Sequence, residues 1–101
     1  MTEIIRTVAE IQKYVEKQKS QGKKVGLIPS MGAFHQGHLT LMNKARKECG
    51  AVIVSVFVNP IQFSAGEDYD QYPRQPDRDL KMVESEEVDI LFIPDVAQMY
   101  P

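Results

Sequence analysis

Ala51-Val-Ile-Val-Ser-Val-Phe-Val58 sets the architecture. Seven of these eight residues are apolar and five are β-branched, with Ser55 the single polar interruption. A strand with one face in water alternates apolar and polar side chains, whereas one covered on both faces does not. Val and Ile also pack well on a pleated surface. The stretch therefore predicts a strand covered on both faces, as in a parallel sheet with helices on both sides. It is far too short to cross a bilayer as a helix, which takes about 20 apolar residues.

Working outward, the period changes to that of a helix. Leu39, Met42, Ala45 and Cys49 fall on one face of a segment that begins near His38 and stops at Gly50. Before it, Val25-Gly-Leu-Ile28 reads as a short strand ended by Pro29. Further upstream, Thr7 and Glu10 have capping-box spacing, Val8, Ile11 and Val15 supply the apolar stripe, and Gly22 the stop. Ile4 and Ile5 suggest an opening strand. Downstream, a helix starts near Pro76, with Asp77 and Asp79 close to its positive end and Leu80 and Val83 facing inward. Val88 to Ile93 is the last strand, closed by Pro94, and Val96 to Met99 can add one helical turn. Alternating strands and helices imply parallel pairing with right-handed crossovers, hence an α/β fold equal to half of a doubly wound, Rossmann-like sheet. Residues 59–75 show no periodicity, and a loop that long is a lid, a binding loop or disordered.

Composition limits the function classes. Twelve Lys and Arg stand against 14 Asp and Glu, a net charge of −2. That balance argues against a nucleic-acid partner held by blanket phosphate neutralisation. Residues 1–66 carry nine basic and four acidic side chains and residues 67–101 three and ten, read as two solvated faces of one fold. Cys49 is the single cysteine, so no internal disulfide can form, and with His35 and His38 the only histidines no metal site is expected. Met1-Thr2-Glu3 lacks the basic and apolar start of a secretory signal. The expectation is a soluble, cytoplasmic chain with no membrane partner.

In open parallel sheets, ligands bind outside the carboxyl ends of the strands. That rule selects Pro29 to His38, Asn59 to Phe63, and Pro94 to Asp95. In the first of these, His35-Gln-Gly-His38 lies where a strand gives way to a helix. Amides at a helix start are unsatisfied donors with positive dipole character, and two imidazoles aimed the same way complete an anion site. Gly32 and Gly37 would let a base or phosphate approach the backbone. Two helix-start histidines with no ligand are the plainer alternative.

Pro29-Ser-Met-Gly-Ala-Phe-His-Gln-Gly-His38 resembles the His-x-Gly-His signature of the nucleotidyltransferase superfamily. The longer run, with Ser55-Val-Phe-Val-Asn-Pro-Ile-Gln-Phe63, Asp70-Gln-Tyr-Pro-Arg74 and Met99-Tyr-Pro101, is similar to the pantoate–β-alanine ligases across nearly the whole chain. Ser30 stands where that family usually has Thr, Phe34 where Leu is common and Gln36 where an acid is common. The resemblance implies an amino-terminal portion, residues 1–101, of a nucleotide-binding domain. The rest of that domain and a carboxyl-terminal domain would lie outside it. It implies ATP, with accompanying Mg2+, as a substrate that activates pantoate, followed by attack of β-alanine. Met31, Gly32, Ala33, Phe34, His35, Gln36, Gly37 and His38 would form the ATP turn, with His38 and His35 as the catalytic donors. Gln62, Asn59, Met31 and Tyr72 would meet pantoate or β-alanine, although Asn59 before Pro60 serves equally well as a turn initiator. Another adenylyltransferase of the superfamily, and a nucleotide-binding or assembly module without catalysis, are the competing readings. A sheet left incomplete has open edges that favour association, so a homo-oligomer, most simply a dimer, is expected.

Overall fold

The computed structural model describes residues 2–32, 34–57 and 76–100. Its elements are β1 (Glu3–Ile5), α1 (Val8–Ser20), β2 (Val25–Ser30), α2 (Gln36–Glu48), β3 (Ala51–Val56), α3 (Pro76–Ser85), β4 (Ile90–Phe92) and α4 (Val96–Met99). The four strands form one parallel sheet in the order β1-β4-β3-β2.

The apolar β3 strand lies between β4 and β2 and is covered on both faces, as its composition requires. Val52 and Val54 face one side, packed in a cluster with Phe34, Met42, Val83 and Leu91. Ile53 faces the other with Ile5, Ile90 and Phe92, covered by Val8, Ile11, Tyr14 and Val15 of α1. The path from β2 to β3 to β4 steps across the sheet one way, while the connection from β1 to β2 runs back the other way. Crossovers of one hand then place α2 and α3 on one face and α1 on the other.

Thr7 caps α1: its Oγ1 accepts the Glu10 N–H at 3.2 Å and donates to Glu10 Oε1 at 2.7 Å. Glu10 thus reaches back to the hydroxyl rather than to an amide, a variant of the expected box. Several element boundaries differ from the sequence reading, among them the end of β3 at Val56. The β2 strand runs past Pro29 to Ser30. Lys24 O and Ser30 O accept from Ala51 and Phe57 of the β3 side, so even-numbered residues bond inward and Pro29 faces the open edge. A proline there forfeits no ladder bond. The α2 helix starts at Gln36, two residues ahead of His38, because His35 caps it. The last strand is confined to Ile90–Phe92, since Val88 N still bonds Val83 O at the end of α3.

At the amino ends of the strands, Arg46 of α2 is a staple. Its guanidinium donates to Asp89 Oδ2 (2.7 Å), Glu87 O (3.0 Å) and Cys49 O (3.0 Å). Asp89 Oδ2 also accepts the Val52 N–H at 2.8 Å. These bonds lock the entry of β3 to that of β4, at the edge opposite the histidine turn. No helix among the described residues is long and apolar enough to cross a membrane.

Candidate active site

The register pairs Pro29 with Ser55 and Ser55 with Phe92, so β2, β3 and β4 end on one edge of the sheet. From that edge β2 leads into the histidine turn, β3 into residues 58–75, and β4 into Pro94 and Asp95. The turn begins with a tie. Ser30 Oγ donates to Ser55 O at 2.8 Å and accepts the Gly32 N–H at 3.3 Å. Gly32 itself is buried with φ +86°, a conformation that favours glycine. A Cβ there would lie 3.1 Å from both Asp79 Oδ2 and Val56 Cγ1. Its missing side chain therefore makes room for the protein's own atoms.

His35 and His38 then close a reciprocal cap on α2. The His35 N–H donates to His38 Nδ1 at 3.1 Å, and the Gly37 N–H donates to His35 Nδ1 at 3.1 Å. The ring centroids are 4.1 Å apart. This corrects the expectation of bare amides: two of the helix-start N–H groups are already taken, and the His38 N–H bonds His35 O at 3.0 Å. With each Nδ1 acting as acceptor, a neutral ring must carry its proton on Nε2. What the turn offers an anion is thus a pair of Nε2–H donors.

Burial holds the His38 pKa below the ordinary histidine value, the neighbouring His35 ring pushes the same way, and Asp79 opposes them. His38 is therefore a neutral donor at ordinary pH. Its ring stacks edge-on against Phe34 at a centroid distance of 5.4 Å. Phe34 is 2 % exposed and belongs to the core. It supports His38, and its side chain cannot be the ATP contact that its place in the turn suggested. Met31 is half-buried, while His35, Gln36 and Gly37 are exposed. A Cβ on Gly37 would meet His35 Cε1 at 2.9 Å, so the space that glycine frees holds the capping imidazole. Ala33, Asn59, Gln62 and Tyr72 lie outside the described residues.

The sequence reading takes Asp79 only as a favourable charge near a helix start. The structure buries it to 3 % exposure between α3 and the Gly32 turn. The signal was there: Asp79 lies one turn before Val83, on the stripe that faces the core. A separate open groove of about 750 Å3 lies between α1 and the other face of the sheet, lined by Ile11, Val15, Leu27 and Phe57 among others, and does not include the histidines. Donor geometry, rather than the size of that hollow, marks the histidine turn as the candidate site.

Residues 3–101 match the model of the pantoate–β-alanine ligase family. The chain belongs to that family. It is 46% identical over 99 residues to the pantothenate synthetase of Syntrophomonas wolfei, covering 98% of this chain and 35% of that protein. With the pantothenate synthetase of Staphylococcus haemolyticus it shares 48% over 101 residues, 100% of this chain and 36% of the relative. Among solved structures, pantothenate synthetase from Thermus thermophilus superposes with a TM-score of 0.87 at 44% identity, over 100% of this chain and 34% of that one. Pantoate–β-alanine ligase from Francisella tularensis, solved with βγ-ATP and β-alanine, gives 0.84 at 39% identity, over 100% of this chain and 38% of that one. The chain spans about a third of the length of these ligases.

Proposed function

We propose that this chain forms the amino-terminal portion of the nucleotide-binding domain of an ATP-dependent pantoate–β-alanine ligase, working in the cytoplasm. The observation that carries the reading is the imidazole pair: two rings 4.1 Å apart, each with Nδ1 tied to an amide, at the carboxyl edge of a parallel sheet. In the first step the pantoate carboxylate attacks the α-phosphorus of ATP, giving pantoyl adenylate and pyrophosphate. The amine of β-alanine then attacks the acyl carbon, the acyl–phosphate bond breaks, and pantothenate and AMP leave with loss of the amine proton.

The protein's part in the first step is positioning and electrostatics, since phosphoryl and nucleotidyl transfer ask for little covalent help. The Nε2–H groups of His38 and His35 donate to phosphate oxygens as charge builds there. His38 is the principal donor, because a ring kept neutral by its surroundings stays a fixed dipole through the reaction. Met31 to His38 make up the ATP turn. Gln62, with Asn59 and Tyr72, recognises pantoate and later β-alanine, since a carboxamide both donates and accepts. Among the described residues no group of three or more His, Cys, Asp or Glu side chains is placed to hold a metal ion. Mg2+ would accompany ATP on its phosphates, where it neutralises charge.

Alone, the chain is proposed to bind ATP weakly without turnover, as it spans about a third of its relatives. The open edge of β2, where Leu27 is 62% exposed, favours assembly of copies into a dimer. A strictly monomeric chain in sedimentation would refute the dimer. The activity is tested by fusing the chain to the carboxyl-terminal two thirds of a relative and measuring AMP release. Release should require both pantoate and β-alanine, and AMP formed with neither present would sink the assignment. For the isolated chain, amide NMR during an ATP titration should move residues 31–38, and shifts that avoid them would count against this turn.

A further inference from the structure

We propose that Ser30 is a positioning residue that couples the nucleotide turn to the acid-binding loop, an inference that rests on the function proposed above. Its hydroxyl has one proton and spends it on Ser55 O, the carbonyl two residues before Phe57, at 2.8 Å. The same oxygen accepts the Gly32 N–H at 3.3 Å, and the Ser30 carbonyl accepts the Phe57 N–H at 3.0 Å. One residue thus holds the last paired turn of chain on both sides. Beyond Gly32 the chain reaches His35 in three residues, and beyond Phe57 it reaches Asn59 in two and Gln62 in five.

Gly32 makes the tie effective. Its left-handed backbone is walled by Asp79 and Val56, and its N–H is bound by Ser30. With walls on one side and a tether on the other, the turn leaves the strand in one direction. If the hydroxyl is removed, the Gly32 N–H and the Ser55 carbonyl both lose a partner in a half-buried place, and each loop gains freedom at its root. Ligands that must be gripped by both loops then meet a less prearranged site. The single hydroxyl proton of Ser30 is spent on Ser55 O, so the side chain acts through the turn and the end of β3 rather than by donating to a ligand.

The test uses the 101-residue chain and two substitutions, Ser30→Ala and Ser30→Thr. Ser30→Ala should move the amide resonances of Gly32, His35, His38 and Phe57. It should also weaken ATP and pantoate binding, each followed by NMR titration, by about three- to tenfold, the worth of one ordinary hydrogen bond. Ser30→Thr keeps the hydroxyl on a strand-favouring side chain and should restore the amide positions and both affinities to within about twofold. A purely structural loss would lower the melting temperature without changing the affinity of the folded chain. Unmoved Gly32 and Phe57 amides in Ser30→Ala, or a Thr variant as impaired as the Ala variant, would overturn the proposal. If the unmutated chain binds neither ligand, the functional reading has failed for this chain, and the amide positions of the two variants still decide the tie. If Ser30→Ala does not fold, the Thr variant decides: native amide positions uphold the tie, and displaced ones refute it.

Discussion

His38 Nδ1 accepts the backbone N–H of His35 at 3.1 Å, so the ring assigned the chief donor role is also half of the cap on α2. The two duties use opposite nitrogens. Protonation at Nδ1 would replace the acceptor by a donor and break the cap, which joins the helix start to the charge state of His38.

That link gives a pH dependence of known sign. The folded-state pKa of His38 is depressed, chiefly by burial. Its contribution to stability is therefore complete above the ordinary value of about 6.5 and is lost as pH falls through the folded value. Gln at the same position can cap and does not titrate. Melting curves of His38→Gln should lose part of the decline seen between about pH 7 and 5 in the parent. An equally steep decline in the variant would show that His38 is not its source.

Asp79 works against that depression, as the carboxylate that favours the imidazolium form. Asp79→Asn keeps the shape and removes the charge, so the His38 titration midpoint should move further down. Histidine-ring NMR reads this directly. An upward shift, or none, would mean that the buried carboxylate does not act on the ring.

Two glycines with positive φ separate backbone strain from crowding. Gly22 has φ +76° with nothing within 4 Å of a would-be Cβ, whereas Gly32 has φ +86° and two atoms at 3.1 Å. In urea denaturation Gly22→Ala should cost about 1 kcal/mol. Gly32→Ala should cost more, on the order of 2–4 kcal/mol, because Asp79 or Val56 must also move. Equal costs would mean that the wall around Gly32 yields freely.

Asp89 should matter more than its ion pair suggests. A partly exposed pair contributes about 0–1 kcal/mol, yet Asp89 Oδ2 also holds the N–H of Val52, a fully buried residue. Asp89→Ala leaves that donor unmet and should cost about 1–3 kcal/mol. Asp89→Asn keeps an acceptor oxygen and should cost less. The ranking, measured by denaturant midpoint, is the check, and its reversal would show that Asp89 does not staple the two strands.

The division between sequence and tertiary structure follows from the range of the forces involved. Local pattern suffices for the elements: the unbroken apolar run of β3, the 3.6-residue stripe through Leu39, Met42 and Ala45, and Thr7 before α1 each act within a few residues. It suffices also for the address of the candidate site, because alternating strands and helices imply parallel pairing and parallel strands end on one edge. The strand order and the identity of neighbours across that edge depend on contacts between distant residues, which no local period records. Only the fold brings Asp79 against Gly32, turns Phe34 inward under His38, and lets Pro29 sit in a strand because its bonding face is the open one. The imidazoles are the instructive case. Their spacing announces a helix start, but which nitrogen of each ring faces the backbone and which is left for a ligand is decided by where the folded chain places the neighbouring amides.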